Sequence, residues 1–372
     1  MIAILLLVAA DCRAATSEVV KIGFAAPLTG PLAQYGKATE AGAQLAIAEL
    51  NAKPVRVNGQ PVQLVLESRD DAGDPRTATL VAQSFVDDRV VAVVGHMTSG
   101  TSVPASRIYS HAGIAQLSPG ATSPVYTHQG FATAFRLVPT DASQGAVLAK
   151  YAAHTLHVRS VVLVDDQSEY GKSLASAFEQ TARENGITVF RHEAVSAYAM
   201  DFRALLTTLK SARPDAILFS GYINTGVLFA RQAHQLGLHA MLLGGDGLCD
   251  DALASLVGRG ADGLICSTAG VDYRHGERGA AFERHFIQAF GTGSSGFAPY
   301  AYDAIYLIAD AMTHANSTQA ARILQTLPTE SLDGATGRIA FDRYGDLRDQ
   351  VITIYRYHAG KRDAVFVDTG SK

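Results

Sequence analysis

The chain has 372 residues, of which 35 are acidic and 31 basic, for a formal charge of −4; 48% are apolar and 18% charged. That length suggests about two domains, and so much apolar material argues against a disordered chain. The near-neutral balance, with no run of Lys or Arg, argues against a nucleic-acid binder.

Residues 2–10 are an unbroken apolar run. It is too short to cross a bilayer, which takes about 20 residues. It fits the core of a secretory signal over residues 1–15, with Arg13-Ala14-Ala15 supplying small residues for cleavage, although no Lys or Arg precedes it. A buried first strand is the alternative. Asp11 directly before Cys12 argues against lipid attachment there. An exported protein is the expectation.

Strands and helices then alternate. A strand is predicted over 19–26, a helix over 36–50 with Ala41, Leu45 and Ala48 on one face, and a strand over 62–67. Asp74-Pro75 opens a helix, with Asp as cap and Pro in the first turn. The near-continuous apolar run 90–94 reads as a strand buried on both faces of a parallel sheet. A helix over 99–112 and a strand over 114–117 follow. After Pro139-Thr140 the grammar restarts. Helices are expected over 142–154, 168–184, 202–212, 225–236 and 252–257, and strands over 160–164, 187–191, 216–219, 241–243 and 264–267. Helices over 278–290, 301–314 and 320–327 precede closing strands over 337–341 and 351–357.

Two such runs predict an α/β protein of two doubly wound, Rossmann-like lobes. Ligands bind outside the carboxyl ends of the strands in these folds, so the cleft between lobes is the expected site.

Catalytic signatures do not hold up. Residues 258–263 spell G-x-G-x-x-G, but a helix precedes and a strand follows, the reverse of a dinucleotide fingerprint. Gly171-Lys172-Ser173 resembles the tail of a phosphate loop, but Asp166 stands where its first glycine belongs. There is no G-x-S-x-G and no H-E-x-x-H, and His154 and His157 have no evident third ligand. No enzyme, cofactor or metal is expected. Cys249 and Cys266 lie 17 apart. In an oxidising compartment they can pair; two buried thiols are the alternative.

Small polar loops after strands are more informative. The 90–94 strand runs into Gly95-His96-Met97-Thr98-Ser99, where a helix starts. A helix start offers unpaired N–H groups and a positive partial charge, suited to a carboxylate. The next strand leads into Ser118-Pro119-Gly120-Ala121-Thr122. Gly244-Gly245-Asp246-Gly247 places an acid where it can receive an ammonium group. Helix capping or an ordinary turn explains each loop taken alone. Tyr35, Tyr170 and Tyr222 lie on or just after such loops, placed to wall an apolar pocket.

In their order, these segments resemble the Leu/Ile/Val-binding family of periplasmic substrate-binding proteins for ABC transporters. The resemblance runs from Val19 to the C-terminus. It rests on Pro27-Leu28-Thr29-Gly30-Pro31, Gln34-Tyr35-Gly36, Asp70-Asp71-Ala72-Gly73-Asp74-Pro75, Gly95-His96, Pro104-Ala105-Ser106 with Ile108-Tyr109, Ser118-Pro119, Gln167 to Gly171, and Gly244 to Gly247. It implies the type I periplasmic binding fold with a three-crossing hinge near Pro139-Thr140, residues 268–270 and residues 346–348. Lobe 1 would be 16–139 plus 270–346, and lobe 2 140–269 plus 347–372. The implied carboxylate contacts are Ser99, Gly120 and Thr122, and the ammonium acid is Asp246. The side-chain pocket falls on Tyr35, Met97, Tyr170, Tyr222 and Phe297.

Two departures stand out. Asp246 is one methylene shorter than the Glu of well-known leucine binders. The first-lobe disulfide of those members falls on Gly73 and Thr98 and is lost, so a Cys249–Cys266 bridge would staple the second lobe instead. The implied function is capture of branched-chain or other hydrophobic amino acids by a monomer that delivers them to a permease and its ATPases. Rival readings are the same fold binding an aromatic acid or urea, and a ligand-sensing regulator.

Overall fold

The computed structural model describes residues 17–370; the signal-like segment and Cys12 lie outside them. The chain starts with β1 (Glu18–Ala26), α1 (Ala33–Ala52), β2 (Arg56–Val57) and β3 (Gln60–Asp70). It continues through α2 (Pro75–Asp87), β4 (Ala92–Gly95), α3 (Ser99–Ala112), β5 (Ala115–Ser118) and β6 (Ala134–Arg136). These strands make one sheet in the order β2-β3-β1-β4-β5-β6, parallel except for β2. The apolar run predicted over 90–94 is β4, buried along its whole length, as a strand covered on both faces must be.

A second sheet follows. Its elements are α4 (Asp141–His154), β7 (Ser160–Asp165), α5 (Glu169–Glu184), β8 (Thr188–Ala194), α6 (Arg203–Ala212), β9 (Ala216–Ser220), α7 (Ile223–Gln235), β10 (Met241–Gly244), α8 (Asp251–Val257) and β11 (Ile265–Ala269). The chain then returns to the first sheet with α9 (Glu277–Phe290), α10 (Ala298–Ala315) and α11 (Ala320–Thr326). Ile305, Leu307, Ile308 and Met312 of α10 pack in one core with Ile22, Phe24 and Val94. After the hairpin β12 (Ser331–Gly334) and β13 (Gly337–Ala340), strands β14 (Ile352–His358) and β15 (Lys361–Asp368) close the second sheet, in the order β15-β14-β11-β10-β9-β7-β8.

Local chemistry sets the helix starts. The Asp74 carboxylate accepts from the Thr77 N–H at 2.8 Å with Pro75 in the first turn of α2. Ser168 does the same for α5 through the Gly171 N–H at 2.9 Å. Helix α10 begins at Ala298 rather than 301, because Pro299 suits a first turn and its missing N–H costs nothing there. Residues 258–261 are a single 3₁₀ turn between α8 and β11, a helix-to-strand connection with no phosphate cradle. Strands β2, β6, β12 and β15 escape the sequence pattern. The first and second of these are only two and three residues long, and β15 is an edge strand exposed along most of both faces.

The chain passes between the sheets three times: after β6, after β11 and before β14. The passages are tied together. Gln350 Oε1 accepts from the Thr140 N–H at 3.0 Å and from the Ser143 hydroxyl at 2.7 Å. Gly270 N–H donates to the Val351 carbonyl at 2.8 Å, and the Thr353 hydroxyl donates to the Gly270 carbonyl at 2.6 Å. Cys249 and Cys266 are bonded, joining the loop after β10 to β11.

Candidate functional site

A cavity of about 270 Å³ lies where loops from the carboxyl ends of the strands of both sheets converge. The first sheet contributes Tyr35, Met97, Thr98 and Gly120 to its wall; the second contributes Tyr170, Tyr222, Asp246 and Gly247. Phe297, just before α10, closes one side.

On the first-sheet side the polar groups are neutral and already ordered. Helix α3 starts at Ser99 with no side-chain cap and no acidic residue in its first turn, so its N–H groups remain available to an anion. Ser99 Oγ accepts from the backbone N–H groups of Thr122 and Ser123, both at 3.2 Å. Its lone pairs being used, its O–H remains to donate. Arg136 is fully buried beneath this loop. It donates to the carbonyls of Ala121 (2.6 Å) and Ser123 (2.8 Å), to the Thr127 hydroxyl (2.7 Å) and to Asp346 Oδ1 (2.5 Å). Burial works against the Asp346 charge, but Arg136 with the bonds from Thr127 and His128 holds its carboxyl below the ordinary range. His96 looks catalytic in isolation but is a satisfied core residue. Its ring bonds Asp71 at 2.7 Å and the Tyr109 hydroxyl at 3.1 Å, with no exposure.

On the second-sheet side the chemistry is anionic. The Asp246 loop threads between Tyr170 and α4. A Cβ on Gly245 would meet the Tyr170 hydroxyl at 2.5 Å, and one on Gly247 would meet the Gly221 carbonyl at 2.7 Å. Only glycine allows that approach on both sides of the acid. The Asp246 N–H donates to Gln144 Oε1 at 3.1 Å, and the Gly247 N–H to the Tyr170 hydroxyl at 3.0 Å. Asp166 Oδ2 accepts from the Tyr222 N–H at 3.2 Å, and the Tyr222 ring lies 5.1 Å from that of Tyr170. Burial raises the Asp246 carboxyl, tempered by Tyr170, backbone N–H groups and Gln144, and no basic side chain is among these neighbours. Two arginines do line the outer cavity, but each is spent on other acids. Arg362 Nε lies 2.6 Å from Asp251, and Arg274 Nε 2.8 Å from Asp272.

The cavity therefore brings together Tyr35, Met97, Gly120, Tyr170, Tyr222, Asp246 and Phe297. It does not bring Ser99 and Thr122 to its wall. Both are 1% exposed, with Thr98 and Gly120 nearer the space. Sequence reasoning missed Arg136, Thr98, Asp141 and Gln144. Asp141 and Gln144 stand three apart at a capped helix start, which puts both on one face; that spacing was the available signal. Arg136 sits in a three-residue strand too short to register. Among the described residues, no group of three His, Cys, Asp or Glu could hold a metal ion, and no helix is long and apolar enough to cross a membrane.

A family model described as periplasmic binding protein matches residues 19–362. This chain belongs to that family. Among its curated relatives, the leucine-, isoleucine-, valine-, threonine- and alanine-binding protein of Pseudomonas aeruginosa is 32% identical over 92% of this chain and 91% of its own. The Leu/Ile/Val-binding protein BraC3 of Rhizobium johnstonii is 34% identical over 92% of each. Among solved structures, the leucine-binding protein LivK of Thermotoga maritima superposes with a TM-score of 0.87 at 27% identity, covering 94% of this chain and 99% of that one. LivJ of Streptococcus pneumoniae in complex with isoleucine gives 0.84 at 28%, with the same coverage. A benzoate-bound protein from R. palustris reaches 0.85 at only 18% identity, a likeness of fold alone. The two doubly wound lobes are thus those of type I periplasmic binding proteins.

Proposed function

We propose that the protein is the substrate-binding component of an ABC importer, capturing branched-chain or other hydrophobic amino acids. The observation that carries this reading is Asp246: an acid lining an aromatic-walled cavity, with no basic side chain among the groups that tune its charge. A buried carboxylate is tolerated only when paired or hydrogen-bonded. The α-ammonium of an amino acid supplies the missing partner. A benzoate-like acid or an amide would leave Asp246 uncompensated, so those ligands are disfavoured.

The opposite pole goes to the neutral side. The α3 N-terminus and the Gly120 backbone take the carboxylate, backed by the Ser99 and Thr122 hydroxyls just behind the wall. Met97, Tyr35, Tyr170, Tyr222 and Phe297 surround the side chain. The two jaws are residues 16–139 with 270–346, and 140–269 with 347–372. Neither jaw satisfies a zwitterion alone, so binding favours closure about the three tied passages. Contacts already bridge the jaws: the Ser123 hydroxyl donates to Glu169 at 2.9 Å, and Arg274 lies 3.6 Å from Asp251. The closed form, a periplasmic monomer exported through its N-terminal signal, delivers its cargo unaltered to a membrane permease and ATPases.

Calorimetry with purified protein against the twenty amino acids, benzoate, 4-hydroxybenzoate and urea tests this. Saturable heat with leucine, isoleucine or valine, and none with the acids and urea, is expected. Tight binding of benzoate with no amino acid bound would overturn the reading.

A further inference from the structure

The loop that carries Asp246 is loosely made and then firmly tethered. Gly244, Gly245 and Gly247 surround the acid, and glycine has more backbone freedom to lose than any other residue. One turn further on, the Cys249 N–H donates to the Asp246 carbonyl at 3.2 Å. Cys249 is bonded to Cys266, which is fully buried within β11, an interior strand of the second sheet. The disulfide is thus the covalent anchor of the segment that presents the acid.

The same segment meets the first-sheet side of the cleft. Asp250 lines the cavity together with Tyr35. Burial, then the Asp250 charge and a hydrogen bond to it, push the Tyr35 hydroxyl well above its ordinary range, and Tyr35 packs against the buried cores of both sheets. Arg362 donates to the Cys249 carbonyl at 2.7 Å and the Tyr357 hydroxyl to the Asp250 carbonyl at 2.6 Å. These bonds hold two carbonyls of the segment; only the disulfide joins it covalently to the sheet.

Access to the bond is one-sided. Cys266 has no exposure, whereas Cys249 keeps 6% and lines the cavity wall. A small thiol therefore reaches one sulfur, and reaches it from the space that cargo fills. We propose that the Cys249–Cys266 bond is a redox-sensitive positioning element for Asp246, so that cargo affinity depends on whether a dithiol reductant has opened it. This rests on the amino-acid reading of the cavity and adds to it a control on how firmly cargo is held. A thiolate of the dithiol attacks Cys249 Sγ, the Cys249–Cys266 bond breaks, and its electron pair leaves on Cys266, which takes a proton. The second thiol of the reagent then attacks the mixed disulfide, closing the reagent's own disulfide and freeing Cys249 as a thiol. The protein gains two electrons and two protons, and the dithiol loses them. Without its anchor the glycine-rich loop samples more positions, and an arriving ammonium has to order it again. By linkage, cargo opposes reduction by the same factor by which reduction weakens cargo.

The test equilibrates the native chain with mixtures of reduced and oxidised dithiothreitol, with and without saturating leucine, and counts thiols by alkylation and mass spectrometry. Calorimetry then measures leucine affinity of the reduced chain, with circular dichroism to establish that it is folded. The reduced chain should bind leucine at least about fivefold more weakly, and leucine should shift the reduction equilibrium by the same factor. Cys249→Ser with Cys266→Ser should reproduce the weaker binding. In Asp246→Asn the redox dependence of affinity should vanish, because the bond acts through that acid; a staple that serves stability alone would leave the affinity of the folded, reduced chain unchanged. The equilibrium measurement needs no variant. A folded, reduced chain with the affinity of the oxidised one overturns this inference and leaves the amino-acid reading standing. So does a bond that opens only when the chain unfolds, or an equal redox dependence in Asp246→Asn. Failure of the oxidised native chain to bind any amino acid overturns both.

Discussion

The two poles of the cavity are built in opposite ways. The first-sheet pole is ordered in advance by hydrogen bonds and one buried ion pair. Ser99 organises the 120–123 loop from above, Arg136 holds its carbonyls from below, and Asp346 neutralises Arg136. The second-sheet pole is under-satisfied: Asp246 is buried with no basic side chain among the groups that tune its charge. A carboxylate can be received by dipoles that cost little to keep in place. An ammonium needs charge, and charge kept buried before the ligand arrives is costly. The first pole is thus pre-organised, whereas the second is completed by its cargo.

That contrast can be broken most forcefully at Arg136. Replacing it with Met removes four hydrogen bonds and leaves Asp346 buried against His128 and Thr127 only. A loss of about 3–5 kcal/mol in unfolding free energy is expected, read by urea denaturation. The pH dependence has a definite sign. Asp346 is held low, so its contribution is present above the ordinary carboxylate range and is lost as pH falls through its lowered value. Arg136→Met should show a smaller acid-side loss, since Thr127 and His128 still bond Asp346. If it is as stable as the native chain, the first pole is not organised from below.

The second pole has a covalent brace where the first has hydrogen bonds. The Cys249–Cys266 bond spans 17 residues, and closing a loop of that size contributes about 3 kcal/mol in the chain-entropy account. The double Cys→Ala variant should lose about that much, and a reductant should lower the melting midpoint of the native chain but not of the variant. A reductant without effect on the native midpoint would show that the brace contributes nothing.

Charge is the sharper test of the ammonium side. Asp246→Asn keeps size and polarity but removes the counter-ion. Leucine affinity should fall by at least about 2 kcal/mol, roughly 30-fold, in calorimetry. The melting midpoint of the ligand-free protein should not fall, because an uncompensated buried charge is removed. Undiminished affinity would transfer the ammonium role elsewhere and dissolve the contrast between the poles.

Much of this was legible in the residues because periodicity and loop chemistry are local. The β4 run, the Asp74-Pro75 start and the glycine-flanked Asp246 each carry their signal within a few positions. Seven of the nine contacts implied by the family resemblance line the cavity. Long-range pairing is not local. Arg136 meets Asp346 across 210 positions and Gln144 meets Asp246 across 102, and no window of sequence shows either. Ser99 and Thr122 illustrate the converse: their residue types fit carboxylate binding, but packing turns Ser99 onto its own loop and leaves both off the wall. Strand β15 was invisible because an edge strand exposed on both faces has no alternation to read.

The smallest expected effect separates Asp246's charge from its aim. The Tyr170 hydroxyl accepts from the Gly247 N–H and faces the Asp246 carboxylate. Tyr170→Phe keeps the ring, its packing beside Tyr222 and the clearance that Gly245 and Gly247 provide. It removes only the polar link that orients the loop. A single neutral hydrogen bond is worth about 1 kcal/mol net, so leucine affinity should weaken roughly fivefold. The effect should merge with that of Asp246→Asn rather than add to it, because both substitutions act on one interaction. Full additivity in the double variant would mean that Tyr170 contacts the ligand independently. The second pole would then be organised in advance, as the first is, and only its charge would distinguish them.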